Sequence, residues 1–181
     1  MIKQSNTAKL TGTAILAALV IIFDYTLKYS GLKIPFPWYP ILKFDFTGVP
    51  IALSLFLYGF PSSVTTSLVA GLGILTRSGD MISAVMKVAA ELSTVAGIHL
   101  GQRISGSIGK YVSWTAGLLN RVIVMTLVNF YVLPNFYGVP ISTTIGLLPL
   151  IGVFNIIQGA ITVGFGYFLF EAVKSRLPLA S

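Results

Sequence analysis

"FTGVPIALSLFLYGFPSSVTTSLVAGLGILT", residues 46–76, contains no charged side chain. A helix needs about 20 residues to cross the hydrocarbon of a bilayer. A run of 31 is therefore too long for one crossing and short for two. "YGFPSS" at 58–63 breaks it near the middle, because a proline there cannot continue a helix already formed. Two short spans joined by a tight turn, about 45–59 and 61–77, fit best.

The other apolar runs supply four more spans, about 10–29, 81–103, 111–133 and 144–172, the fifth ended by "LPNFYGVP". Lys3 and Lys9 ahead of Leu10–Phe23 imitate a signal peptide, but "DYTLKYS" follows in place of a small-residue cleavage site. The run reads as a retained span. The fold expected is an all-α membrane protein, a single compact bundle of six transmembrane helices over residues 1–181, with a loop at 30–43 between the first two. No extramembrane domain fits between the runs.

Composition agrees. Of 181 residues, 55% are hydrophobic and only 9% charged, against about a quarter charged in a soluble domain. Such a chain cannot cover a water-facing surface and belongs in lipid. The net charge of +7 would suggest nucleic acid in a soluble protein, but here the basic residues flank apolar runs. They form no cluster with aromatic residues of the kind that binds nucleic acid. Lys3, Lys9, Arg103, Lys110, Lys174 and Arg176 fall on one side, and Lys28, Lys33, Lys43 and Arg77 on the other. Six against four favours cytoplasmic termini, which makes the 30–43 loop extracellular.

Ionisable or strongly polar groups inside a span are expensive, so each is a candidate site residue. Lys87 and Glu91 are four apart on one helical face, continued by Ser83 and Thr94. They form an internal salt bridge, a stripe lining a ligand cavity, or both. Arg121, Met125 and Asn129 share a face of the fifth span, where Arg121 reads as snorkelling to the interface. Asn129 either joins helices or meets a ligand. Asn155 and Gln158, with Thr162 a turn on, set two carboxamides at (i, i+3), which suits an imide or pyrimidine-like edge or a helix–helix hydrogen bond. Asp24 stands four residues from Lys28 and reads as a helix-end pair. His99 has no second ligand at metal spacing and reads as structural. Ala14 and Ala18 are small residues four apart, a spacing that admits a partner helix.

Nothing in the chain supports an enzyme or a bound cofactor. HExxH, GxSxG and a usefully spaced carboxylate pair are all missing. "GQRISGS" at 101–107 lacks the lysine of a phosphate loop, and "GSIGK" at 106–110 has the wrong glycine spacing. Uphill transport would need energy from another subunit or an ion gradient.

Three segments resemble the substrate-capture subunits (S components) of energy-coupling factor (ECF) transporters, in their riboflavin-binding branch. "ILKFDFTGVPIALSLFLYG" at 41–59 is similar to that branch's Lys-x-Asp-Phe-x-x-x-Pro start of the second span. "VNFYVLP" at 128–134 is similar to its ending of the fifth, and "LLPLIGVFNIIQGAITV" at 147–163 to its Phe-Asn-x-x-Lys-Gly segment. The order and spacing match over nearly the whole chain. Gln158 stands where the branch usually has lysine, and Ser93 about where it has asparagine, which gives Glu91 more polar work.

The resemblance implies a capture subunit for riboflavin, or a close flavin such as FMN, working in the cell membrane with a transmembrane coupling subunit and two cytoplasmic ATPases. It implies a site around Asn155 and Asn129, with Gln158 at the lysine position and Glu91 taking on polar work, beneath an aromatic lid carrying Trp38 and Tyr39; helical spacing alone adds Lys87 as a candidate. Lys43 and Asp45 then sit at the rim, latching the lid or meeting a polar tail. Ala14 and Ala18 match the motif that docks on the coupling subunit. Other readings are a capture subunit for another vitamin, a stand-alone ion-coupled transporter and a purely structural subunit. An interfacial aromatic belt would also account for the lid.

Overall fold

The charge-free run does divide in two. In the computed structural model, which describes residues 5–103, 109–174 and 176, it forms α2 (Gly48–Tyr58) and α3 (Phe60–Ser78). Gly59 joins them at φ +92°, a conformation that disfavours a side chain, and Pro61 opens the first turn of α3. The remaining helices are α1 (Asn6–Tyr29), α4 (Met81–Gly101), α5 (Gly109–Tyr137) and α6 (Ile141–Lys174). Among the described residues, α1, α4, α5 and α6 are long and apolar enough to cross a membrane. The chain is an all-helical membrane protein apart from one short ladder.

That ladder pairs β1 (Ile34–Pro35) antiparallel with β2 (Lys43–Phe44) within the connection from α1 to α2. Backbone bonds from Phe36 to Leu42 and among Phe36, Tyr39 and Leu42 close the turn between the strands. Phe36 is fully buried against Trp38, Phe44 and Phe154, while Trp38 itself is 66% exposed.

The helices close into a ring, α1–α2–α6–α5–α4–α3 and back to α1, in which α2 also touches α3 and α4. Nearly every residue of α2 is buried. At about 1.5 Å per residue it is only about 16 Å long, so it reaches partway through a bilayer and is sheltered on all sides. Val20, Ile51, Leu55, Ala70, Val95, Ile98 and Val163 form the apolar core. Helices α4 and α5 approach closely: a Cβ on Gly97 would lie 2.5 Å from the Ala116 carbonyl oxygen.

Two boundaries depart from expectation. α5 runs through Pro134 to Tyr137 instead of ending near 133. The turn beyond is closed by Gly138 at φ +64° and by the Val139 N–H donating to Leu133 O at 3.1 Å. α1 starts at Asn6, four residues early, because Ser5 caps it by accepting from the Ala8 N–H. Lys3 and the middle of the 101–110 glycine-bearing stretch, 104–108, lie outside the described residues.

Candidate functional site

The polar stripes of three helices converge because α4, α5 and α6 are consecutive in the ring. Residues one helical turn apart share a face, so Ser83, Lys87 and Ala90 of α4 meet Arg121, Met125 and Asn129 of α5. Ile151, Phe154, Asn155 and Gln158 of α6 complete the wall. With Tyr39, Lys43 and Asp45 from the ladder segment they line a cavity of about 570 Å³, within the usual range of about 300–1,000 Å³ for small-molecule sites.

Ion pairs organise the floor. Lys87 Nζ is 3.1 Å from Asp45 Oδ1 and 3.0 Å from Glu91 Oε1. Arg121 Nη1 lies 3.4 Å from the same Glu91 oxygen. Glu91 is fully buried, and its Oε2 has no hydrogen-bond partner among the described residues. Isolated charges at this depth would be prohibitive, and mutual pairing is what makes them tolerable. Arg121 is held further by Thr94 Oγ1 at 3.0 Å and the Ala90 carbonyl at 3.3 Å, and its Nε donates to Asn155 Oδ1 at 3.1 Å.

The ladder segment is tied down by Gln158. Its Nε2 donates to Asp45 O at 2.8 Å and its Oε1 accepts from the Asp45 N–H at 3.2 Å, so a side chain imitates a strand partner. Asp45 then caps Thr47 through Oδ1. A second knot lies beside it, where Asp24 binds Lys33 Nζ and Arg77 Nε, each at 2.8 Å. Outside the spans, Asp80 caps α4, and hydrogen bonds from the Ser83 side chain and backbone hold its carboxyl below the usual carboxylate range.

Of the residues singled out from sequence, Asn129, Asn155, Gln158, Lys87, Tyr39, Lys43 and Asp45 line the cavity. Glu91 lies behind its floor, and Trp38 faces outward. Lys43 is exposed and does not pair with Asp45, whose partners are Lys87 and, at 3.8 Å, Lys33. Asp24 pairs with Lys33 and Arg77, not with Lys28 as expected. Arg121 does not snorkel: it is 3% exposed and inside the site. Phe154 was missed, and Met125, placed on the face of Arg121 and Asn129, was given no role of its own. The i−1 relation of Phe154 to Asn155 was the available signal. His99 stacks on Phe60, with ring centroids 4.8 Å apart, and no metal-binding cluster occurs among the described residues. Ala14 and Ala18 sit on the exposed face of α1.

No protein-family model matches the sequence, and no curated protein resembles it significantly. Among solved structures, the fold is similar to the S component of a bacterial ECF transporter, with a TM-score of 0.77 over 95% of this chain and 98% of that one. The chain has an S-component fold. Sequence identity is 22%, so the likeness rests on the path of the backbone. In this S-component fold the cavity lies where α4, α5 and α6 meet the α1–α2 connection.

Proposed function

We propose that this protein is the vitamin-capture subunit of an ECF importer and that its ligand is riboflavin or FMN. The observation that carries the reading is a cavity of about 570 Å³ with apolar walls and carboxamides at separate depths. Asn129 donates through Nδ2 to Met125 O, and its Oδ1 has no hydrogen-bond partner among the described residues. Arg121, eight residues earlier, lies about 12 Å deeper along α5. Met125, Ile151, Phe154 and Leu133 supply apolar surface in the same cavity. A flat heteroaromatic ring with donors and acceptors along its edge suits such a slot.

The ladder segment is the lid. Its prolines and the buried Phe36 limit the entropy lost on closure, and Gln158 anchors it to α6. Lys43 at the rim favours a phosphate or hydroxylated tail. With the ladder end extracellular and both termini cytoplasmic, the exposed Ala14–Ala18 face of α1 meets the transmembrane coupling subunit, and two ATPases drive release. Membrane lipid is the only other partner. Because Gln158 is engaged with the lid, it offers the ligand less than the lysine of the riboflavin branch would, which keeps a different vitamin as the second reading.

Titration of the purified protein with riboflavin is expected to quench the yellow fluorescence at submicromolar concentration. Absence of quenching with both riboflavin and FMN rejects the flavin assignment. Ala14→Trp is expected to leave binding intact and to abolish co-purification with the coupling subunit. Normal assembly would refute the docking face.

A further inference from the structure

We propose that Arg121 selects the ligand, through a hydrogen bond from Nη2 to a neutral carbonyl oxygen at the ligand's inner end. The inference deepens the capture reading and rests on it. Three observations lead to it.

Arg121 spends Nε on Asn155 Oδ1 and Nη1 on Ala90 O, Thr94 Oγ1 and Glu91. Nη2 makes no hydrogen bond among the described residues, yet the residue lines the cavity while being 97% buried (3% exposed). A guanidinium has five N–H donors in a fixed fork, and the two on Nη2 keep access to the cavity with no acceptor among the described residues. The idle side of the fork therefore awaits an acceptor.

The local pairing says which acceptor. Lys87 and Arg121 both meet Glu91, while Asp45 is met by Lys87 and, at 3.8 Å, by Lys33. The Arg121 charge is already met by Glu91. A ligand carboxylate or phosphate on Nη2 would bring a second anion close to Glu91 in a medium of low dielectric, where like charges repel strongly. A carbonyl accepts the same hydrogen bond without that penalty. Any anionic group of the ligand belongs at the rim instead, where Lys43 has no ion-pair partner among the described residues.

The immobilised side chain also explains why the donor is an arginine. Asn155 and Thr94 fix the plane of the guanidinium, which a single ammonium could not reproduce.

The test combines a ligand panel with two variants in detergent. Thermal shifts of the wild type are measured with riboflavin, lumichrome, thiamine and nicotinate. The expected result is protection by riboflavin and lumichrome, which carry neutral ring carbonyls, and none by thiamine or nicotinate. Arg121→Lys keeps the charge opposite Glu91, and the pair Arg121→Met with Glu91→Gln removes both charges together. Each is expected to keep a melting temperature near the wild type's and to lose at least 10-fold in riboflavin affinity. Replacing a ring carbonyl oxygen by sulfur in riboflavin, a poorer acceptor, should weaken binding to the wild type but not to Arg121→Lys. Unchanged riboflavin affinity in both variants overturns the proposal, as does protection by nicotinate or thiamine. Protection by lumichrome without riboflavin would reject riboflavin as the ligand and leave Arg121 in place. Protection by nothing in the panel defeats both.

Discussion

The α4–α5 pair behaves as two different materials along its length. Towards the ladder end, Lys87, Glu91 and Arg121 hold the helices through charge and leave a cavity between them and α6. Towards the other end, Gly97 and Gly101 let the backbones touch, with Ser113, Ala116 and Gly117 filling the seam. In lipid there is little hydrophobic reason for helices to associate, so one end uses close van der Waals packing and the other uses polar glue. Close packing leaves no room for a ligand. The polar end is where a membrane chain can keep an opening, because paired charges hold the walls apart and together at once.

The contrast yields an ordered set of expectations. The largest effect belongs to Glu91→Ala, which leaves Arg121 and one side of Lys87 uncompensated. Losing one partner of a buried ion cluster costs about 3–5 kcal/mol. A detergent melting curve within a degree of the wild type would show that the cluster does not hold this end together. Gly97→Val places a Cβ against the Ala116 carbonyl, and overpacking of this kind costs about 1–3 kcal/mol. Its ligand affinity, measured on the folded fraction, should be normal, since Gly97 faces Ala116 and Gly117 and does not line the cavity. A loss of affinity larger than the loss of stability would mean the two ends are coupled.

Asn155→Ala should weaken riboflavin binding by about 1–3 kcal/mol, the cost of stranding a buried polar partner. Isothermal titration checks it, and unchanged affinity removes Asn155 from the site. The smallest effect is that of Lys43→Ala, an exposed rim charge worth about 1 kcal/mol or less. It should lower affinity for FMN at low salt and leave riboflavin untouched, so an equal effect on both would place Lys43 elsewhere.

The sequence was readable where the cause is local. The break at Gly59–Pro61 follows from two residues and a charge-free run, and the six helices follow from hydropathy. The Lys87–Glu91 pair and the Asn155–Gln158 stripe are fixed by helical spacing alone. What could not be read depends on distant residues. Arg121 reads as an interfacial residue until Asn155 and Glu91, on two other helices, are found to bracket it. Asp24 has Lys28 one turn away, yet its partners are Lys33 and Arg77, the latter 53 residues on. Gln158 looks like a ligand contact on its own helix, and only its bonds to Asp45, 113 residues earlier, give it to the ladder segment. Pro134 fails to stop α5 because the turn closes beyond it, at Gly138.

The central claim is that the charged end of the bundle encloses a vitamin-sized flat ring. Native mass spectrometry of the protein purified from riboflavin-supplemented cells tests it most directly. One flavin per chain, retained in mild detergent and lost on substitution at Arg121, is the expected result. A spectrum containing only the bare chain, from protein that still melts cooperatively, would contradict it.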